Sequence, residues 1–320
     1  MAAGGGTKAI VAALLANLGI AVSKFVAFGF TMSSSLLAEG IHSCADSGNQ
    51  ALLLLGGKRA KRDADEQHPF GYGRERYIYA FVVSIVLFSL GGLFALYEGY
   101  HKIHEALEHP GPMEHWYWAV GVLSVAIVLE SFSFRTAIVE SNHVRGRATW
   151  VQFVRRAKAP ELPVVLLEDL GALVGLVLAL LGVVASVVTG NTVFDGIGTL
   201  CIGVLLVVIA VILAIETKSL LLGESATADQ VRAIRAAIET ESTVDRVIHL
   251  RTLHLGPEEL LVAAKVAIGS DQSASDIAEA IDAAEARIRE AVPVTTVIYI
   301  EPDLDRTPSP AAPAKDSAAP

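Results

Sequence analysis

Six apolar stretches, each long enough to cross a bilayer as a helix, decide most of what this chain can become. They run roughly over residues 9–30, 35–55, 77–98, 116–139, 162–188 and 193–215. About 20 apolar residues in a helix span the hydrocarbon core. No water is available there for backbone N–H and C=O groups, so such runs close their hydrogen bonds internally, as helices. Hydrophobic residues are 52% of the 320 and charged ones only 18%. The predicted fold class is an α-helical polytopic membrane protein with six transmembrane helices. No cleavable signal peptide is evident, because the run that begins near Ala9 is long enough to stay as a span. Cys44 and Cys201 both fall in predicted spans, which speaks against a disulfide framework.

Loop charge sets the expected orientation. The loop after the second span holds Lys58, Arg59, Lys61, Arg62, Arg74 and Arg76, and the loop after the fourth holds Arg145, Arg147, Arg155, Arg156 and Lys158. The loop after the third span holds only Lys102, and those after the first and fifth hold no Lys or Arg. By the positive-inside rule both termini are cytoplasmic. The expected location is a bacterial inner or plasma membrane, with lipid as the surrounding partner. Trp116, Tyr117 and Trp118 read as an interfacial belt at the outer end of the fourth span. The net charge of −9 comes with no basic surface that would suit a nucleic acid, so no nucleic-acid partner is expected.

Past the last span the pattern changes. Residues 226–238 and 275–291 carry helical periodicity, while 244–253, 260–268 and 294–300 read as strands. That α-β-β-α-β order predicts a small two-layer α+β domain. The expected division is a membrane domain over residues 1–222, an α+β domain over 223–305 and a disordered tail over 306–320. The tail is rich in Pro, Ala and Ser.

The chemistry concentrates in the second span. Glu39, His42, Asp46, Asn49 and Gln50 fall on one stripe at helical spacing, inside an otherwise apolar run. Such groups are costly in lipid and must face other helices, water or an ion. His42 and Asp46 are one turn apart and can reach a single cation. One imidazole and one carboxylate make half of a four-ligand site for zinc or a similar divalent ion. The imidazole can also exchange a proton for the metal. Span five offers Glu168 and Asp169. Neighbours on a helix point about 100° apart, so one can ligate while the other orients it, and the spacing slightly favours Asp169 as the ligand. Glu130 in span four suits a proton relay, a helix contact or a remote part of the site.

Outside the spans, Asp65 and His68 lie close together in a Pro- and Gly-containing loop, where a solvated turn is the favoured reading and a surface metal site the other. Residues 101–109, rich in His and Glu, read as a solvated outer loop. His249 and His254 fall on opposite faces of one strand and point to no shared site.

The stretch from Ser35 to Gln50 resembles the cation diffusion facilitators, a family of zinc and related divalent-metal/proton antiporters. So do Asp65-Glu66-Gln67-His68-Pro69-Phe70-Gly71-Tyr72-Gly73, Leu166-Leu167-Glu168-Asp169, the segment Thr189–Gly198 and the closing Ile300-Glu301-Pro302-Asp303. The likeness covers about residues 8–305. It implies six spans, a cytoplasmic ferredoxin-like or metallochaperone-like domain, a homodimer and alternating access. The partners implied are divalent metal ions and protons. No resident cofactor is implied, the metal being cargo. His42 and Asp46 match the family's span-two ligand pair, and Asp169 matches its span-five Asp. Val165 stands where the family has a span-five His. The Leu-Leu-Glu-Asp pattern is similar to the branch with the nine-type mitochondrial zinc transporters. There Glu168 is the natural substitute, as a ligand or as a group holding one. Asp65 and His68 match two ligands of the family's loop site, but Tyr72 replaces the third, which leaves a weak secondary metal site or none. The soluble domain lacks the family's binuclear-site ligands and suits dimerisation.

The expected function is therefore a Zn²⁺/proton antiporter exporting metal from the cytoplasm, with Mn²⁺, Fe²⁺ or Co²⁺ as alternative cargo. A metal-dependent intramembrane hydrolase is a second reading, without an HExxH or a nucleophile pattern to support it. A membrane scaffold is a third, and it leaves the polar stripe without a purpose.

Overall fold

The computed structural model describes residues 3–31, 34–109, 111, 113, 116–240 and 243–304. The expected tail, 306–320, lies outside the described residues, as do the side chains of Glu39 and His42. The chain divides into two compact units at Leu222/Gly223.

The first unit is a bundle of long helices: α1 (Ala3–Thr31), α2 (Ser34–Arg59), α3 (Glu75–Val86) continued by α4 (Phe94–Glu108), α5 (Trp116–Arg145), α7 (Glu161–Thr189) and α8 (Val193–Leu222). Among the described residues five segments are long and apolar enough to cross a membrane, at 7–29, 75–108, 116–145, 161–189 and 193–222. The sixth expected span is α2, which lies along α1 and carries the polar stripe in place of a fully apolar run.

Two expectations about helix extent are corrected. The third span does not end near Glu98. It runs unbroken from Glu75 to Glu108, so residues 101–108 are helix rather than loop. The reason is local: His, Lys and Glu all tolerate a helix, and the stop comes at His109, just before Pro110. His104 and Glu108, one turn apart, pair at 3.3 Å. Within this long helix Leu87–Leu93 forms a π-helical segment around Gly91-Gly92, a local widening that often accompanies functional sites. The second correction lies between α5 and α7. The expected loop contains a short helix, α6 (Trp150–Arg156), started by a reciprocal Thr149/Gln152 capping box.

Packing within the bundle follows from residue size. The long helix α3–α4 lies against α8, α7 bridges α5 and α8, and α1 bridges α2 and α5. A Cβ on Gly99 would stand 2.6 Å from the Leu200 backbone nitrogen, and one on Gly203 would stand 2.7 Å from that of Leu96. Only hydrogen at those positions lets α4 and α8 touch backbone to backbone, the usual way helices gain dispersion energy in lipid. At one end of the bundle Arg76 makes a two-pronged ion pair with Glu161, tying the start of α3 to the start of α7. Beside it Leu53, Ala80, Val83, Phe153, Leu162 and Val165 close an apolar core. The tight turn between α7 and α8 is made by Gly190 in the left-handed region at φ 68°.

The second unit has the expected α-β-β-α-β order: α9 (Ala228–Glu239), β1 (Val244–Gly256), β2 (Glu259–Ile268), α10 (Ala274–Ala291) and β3 (Thr295–Leu304). β2 is central, antiparallel to β1 and parallel to β3. Parallel neighbours need a crossover, which α10 supplies. Both helices begin with capping boxes, at Thr227/Gln230 and Ser273/Asp276. Ile234, Ile238, Leu260 and Ile288 are fully buried between helices and sheet. Each such side chain contributes about 1.5–3 kcal/mol. His254 is buried and His249 exposed, on opposite faces of β1.

Candidate metal centre

The described part of the α2 stripe turns inward, as its cost in lipid requires. Asn49 and Gln50 are 1% and 0% exposed, and Asp46 and Ser43 face a cavity of about 630 Å³ within the bundle. Glu168, Asp169, Glu130, Lys24 and Asn17 line the same cavity, so α1, α5 and α7 bring polar groups to the space that α2 faces. From that cluster the cavity runs along α4, past Glu98, Lys102 and Glu105, to the helix ends around His109, Met113, Trp118 and Thr192. By the positive-inside rule this is the end expected to face outward. Lys102 is held in the cavity wall by Asp195 at 3.1 Å and Thr199 at 3.5 Å.

The adjacent carboxylates of α7 diverge as their spacing dictates. Glu168 turns to α2, where its Oε1 accepts from Asn49 Nδ2 at 3.0 Å. Asp169 turns to α5, where its Oδ2 accepts from Ser133 Oγ at 2.7 Å. The amides of α2 are tied in turn, Asn17 Nδ2 donating to Gln50 Oε1 at 3.3 Å. Each acid is thus aimed by a neutral donor that leaves oxygen lone pairs for a cation. Glu168 Oε2, buried, has no hydrogen-bond partner in the structure.

Among the described residues no three His, Cys, Asp or Glu side chains converge closely enough to hold a metal ion. Asp46, Glu168, Asp169 and Glu130 share a cavity without sharing a point. The side chains of His42 and Glu39 are outside the described residues. Val165, where the resemblance would place a histidine, is fully buried in the apolar core.

The Asp65/His68 loop has a different character. Asp65 Oδ1 accepts from the backbone nitrogens of Gln67 and His68 at 3.0 and 2.8 Å, and Oδ2 accepts from the Tyr72 hydroxyl at 2.6 Å. His68 Nδ1 is 3.5 Å from Oδ1, and Arg62 stacks over the Tyr72 ring at 4.1 Å. The Tyr72 hydroxyl, then the His68 backbone, hold the Asp65 carboxyl below the usual carboxylate range.

Asn17 and the α4 stripe of Glu98, Lys102 and Glu105 were not singled out in the sequence as parts of the site. Asn17, a lone amide in an apolar run, carried the signal. The α4 residues were hidden because the helix was expected to end early.

Residues 10–222 match the model of the cation efflux transmembrane domain, and 226–303 match that of the cation efflux protein cytoplasmic domain. The mitochondrial proton-coupled zinc antiporter of Mus musculus is 31% identical over 262 residues, 81% of this chain and 45% of that protein. Its Homo sapiens counterpart is 30% identical over 264 residues, with the same coverage. Metal tolerance protein C4 of Arabidopsis thaliana is 28% identical over 261 residues, 81% of this chain and 56% of that protein. The chain thus spans about half the length of these relatives. With family models matching both of its units, the chain belongs to the cation efflux, or cation diffusion facilitator, family.

Proposed function

We propose that this protein is a secondary transporter that exchanges a divalent metal cation, Zn²⁺ first, for protons, and moves the metal out of the cytoplasm by alternating access. The observation that carries this reading is one cavity, deep in a bundle of apolar helices, lined by Asp46 of α2 and by Glu168 and Asp169 of α7. A space of that polarity in lipid suits a charged passenger. His42, Asp46 and Asp169 are the ligands, and Glu168 is the fourth ligand or the proton acceptor. The buried Val165 and the uncommitted Glu168 Oε2 support giving Glu168 that part. Glu39, Asn49, Gln50 and Glu130 orient the ligands or relay protons. Protonation of His42 and the carboxylates releases the metal.

Among the described residues the cavity lining reaches one end of the bundle, while the Arg76–Glu161 pair and the apolar core beside it occupy the other. That asymmetry supports an outward-facing state of an alternating-access cycle. Both termini are placed on the cytoplasmic side, and the second unit is taken to join two copies into a homodimer, as the resemblance implies. The membrane is taken to be a bacterial inner or plasma membrane. The mitochondrial names of the relatives describe those proteins, and fractionation of a tagged chain checks the location of this one. The hydrolase and scaffold readings are dropped, since both family models that match are of cation efflux proteins.

The test is uptake into proteoliposomes loaded with a fluorescent chelator, comparing Zn²⁺, Mn²⁺, Fe²⁺ and Co²⁺ with and without a pH gradient. Gradient-driven uptake supports antiport and ranks the metals. No uptake of any of them sinks the reading.

A further inference from the structure

Lys24 is an unexpected occupant of a cation's cavity. It sits in the apolar α1, its side chain belongs to a residue only 5% exposed, and it lines the inner end of the cavity together with Asp46, Glu130, Glu168 and Asp169. Its Nζ donates to Ser43 Oγ at 3.0 Å, one turn before Asp46 on α2. Burying an ammonium is costly unless neighbouring charge compensates it. A tie between α1 and α2 needs no charge, because serine, threonine or an amide joins membrane helices at lower desolvation cost. What a lysine adds there is a mobile point charge on a flexible stem.

We propose that Lys24 is a tethered counter-cation of the transport site. Without metal its ammonium balances the carboxylates that line the cavity and keeps them from repelling one another. When a divalent cation enters, the two positive charges oppose each other across the low-dielectric pocket, so Lys24 weakens metal binding and favours release. It is a positioning and affinity-setting residue rather than a ligand. The inference rests on the transport reading above and adds a role for a residue that reading leaves unused.

The test uses full-length protein, Zn²⁺ alone as the probe, and two variants. Lys24→Gln removes the charge and keeps a donor for Ser43. Lys24→Arg keeps the charge and changes the shape. Zn²⁺ affinity is read by chelator competition in detergent, turnover in proteoliposomes, and thermal stability without metal. Lys24→Gln is expected to bind Zn²⁺ about tenfold more tightly, the scale of one repulsive charge at partial screening. Its KM and kcat should both fall, and its metal-free form should melt earlier than wild type. Lys24→Arg should bind Zn²⁺ close to the wild-type affinity. If Lys24→Gln binds Zn²⁺ equally or more weakly while only its stability drops, Lys24 is a helix tie and the inference is overturned with the transport reading intact. If the wild type binds no Zn²⁺, the inference is overturned, and the uptake comparison across the four metals then decides the transport reading. If the glutamine variant does not fold, Lys24→Met under the same measurements decides between the same outcomes.

Discussion

The polar cluster in the bundle and the Asp65/His68 loop use the same residue types at nearly the same spacing, and they differ in what surrounds the oxygens. In the loop, every Asp65 oxygen already accepts a hydrogen bond from the turn or from Tyr72, and the group is open to water. In the bundle, Glu168 and Asp169 each take one neutral donor, from Asn49 and Ser133, inside a buried cavity. A carboxylate whose lone pairs build a turn has little left for a metal. A carboxylate aimed into a low-dielectric cavity is costly until a cation arrives. Uncommitted lone pairs and burial, more than residue identity, separate a candidate transport site from a loop fastener.

The contrast breaks most directly at the buried end. Asp46→Ala and Asp169→Ala are each expected to cut metal uptake by about 100-fold or more, since loss of a ligand should exceed the 10–100-fold cost of losing a residue that holds one. Wild-type uptake by either variant would remove the buried cluster from the mechanism. Glu168→Gln and Ser133→Ala should cost about tenfold in Zn²⁺ affinity, measured by chelator competition. If neither moves it, the neutral donors aim nothing.

The cavity wall can be tested without touching a polar group. Gly99→Val forces a side chain against the Leu200 backbone, and overpacking of this kind costs about 1–3 kcal/mol. A thermal-melting comparison in detergent should show that loss, and an unchanged midpoint would mean that α4 and α8 do not touch as described.

The loop should yield the smallest effects. Asp65→Asn is expected to leave uptake within about twofold of wild type, because the proposed transport site lies in the bundle. A loss as large as that of Asp46→Ala would make the loop a working metal site. The pH dependence has a definite sign. The Asp65 carboxyl is held below its ordinary value of 3.8, so its contribution to the turn is present above that value and fades as pH falls through the lowered one. A carboxyl NMR titration of Asp65 should place the midpoint under 3.8, and a midpoint at or above it would mean the Tyr72 hydroxyl does not donate there.

Much of this molecule was legible along the chain. The apolar runs gave helices where they were expected, because burial in lipid and backbone satisfaction are properties of a continuous segment. The α-β-β-α-β order of the second unit was visible in periodicity for the same reason. Errors fell at an element end and in a connection that holds the short helix α6. Residues 101–108 looked polar enough for a loop, yet polarity does not stop a helix when no proline or glycine intervenes. The site was half visible: the stripe on α2 and the acids of α5 and α7 could be drawn from the sequence, but their companions Asn17 on α1 and Glu98, Lys102 and Glu105 on α4 could not.

Sequence alone therefore set the class of fold, the order of its elements, and the identity of the polar residues that lipid would not tolerate. Each is a local matter of hydropathy and period. Only the tertiary structure decided that Glu168 turns to Asn49 while Asp169 turns to Ser133, and that Lys24 and Glu130 share their cavity. It also decided that Gly99 and Gly203 let α4 and α8 close the wall. Those relations join residues far apart in the chain, and side chains on separate helices meet only once the packing of the bundle has fixed how each helix is turned.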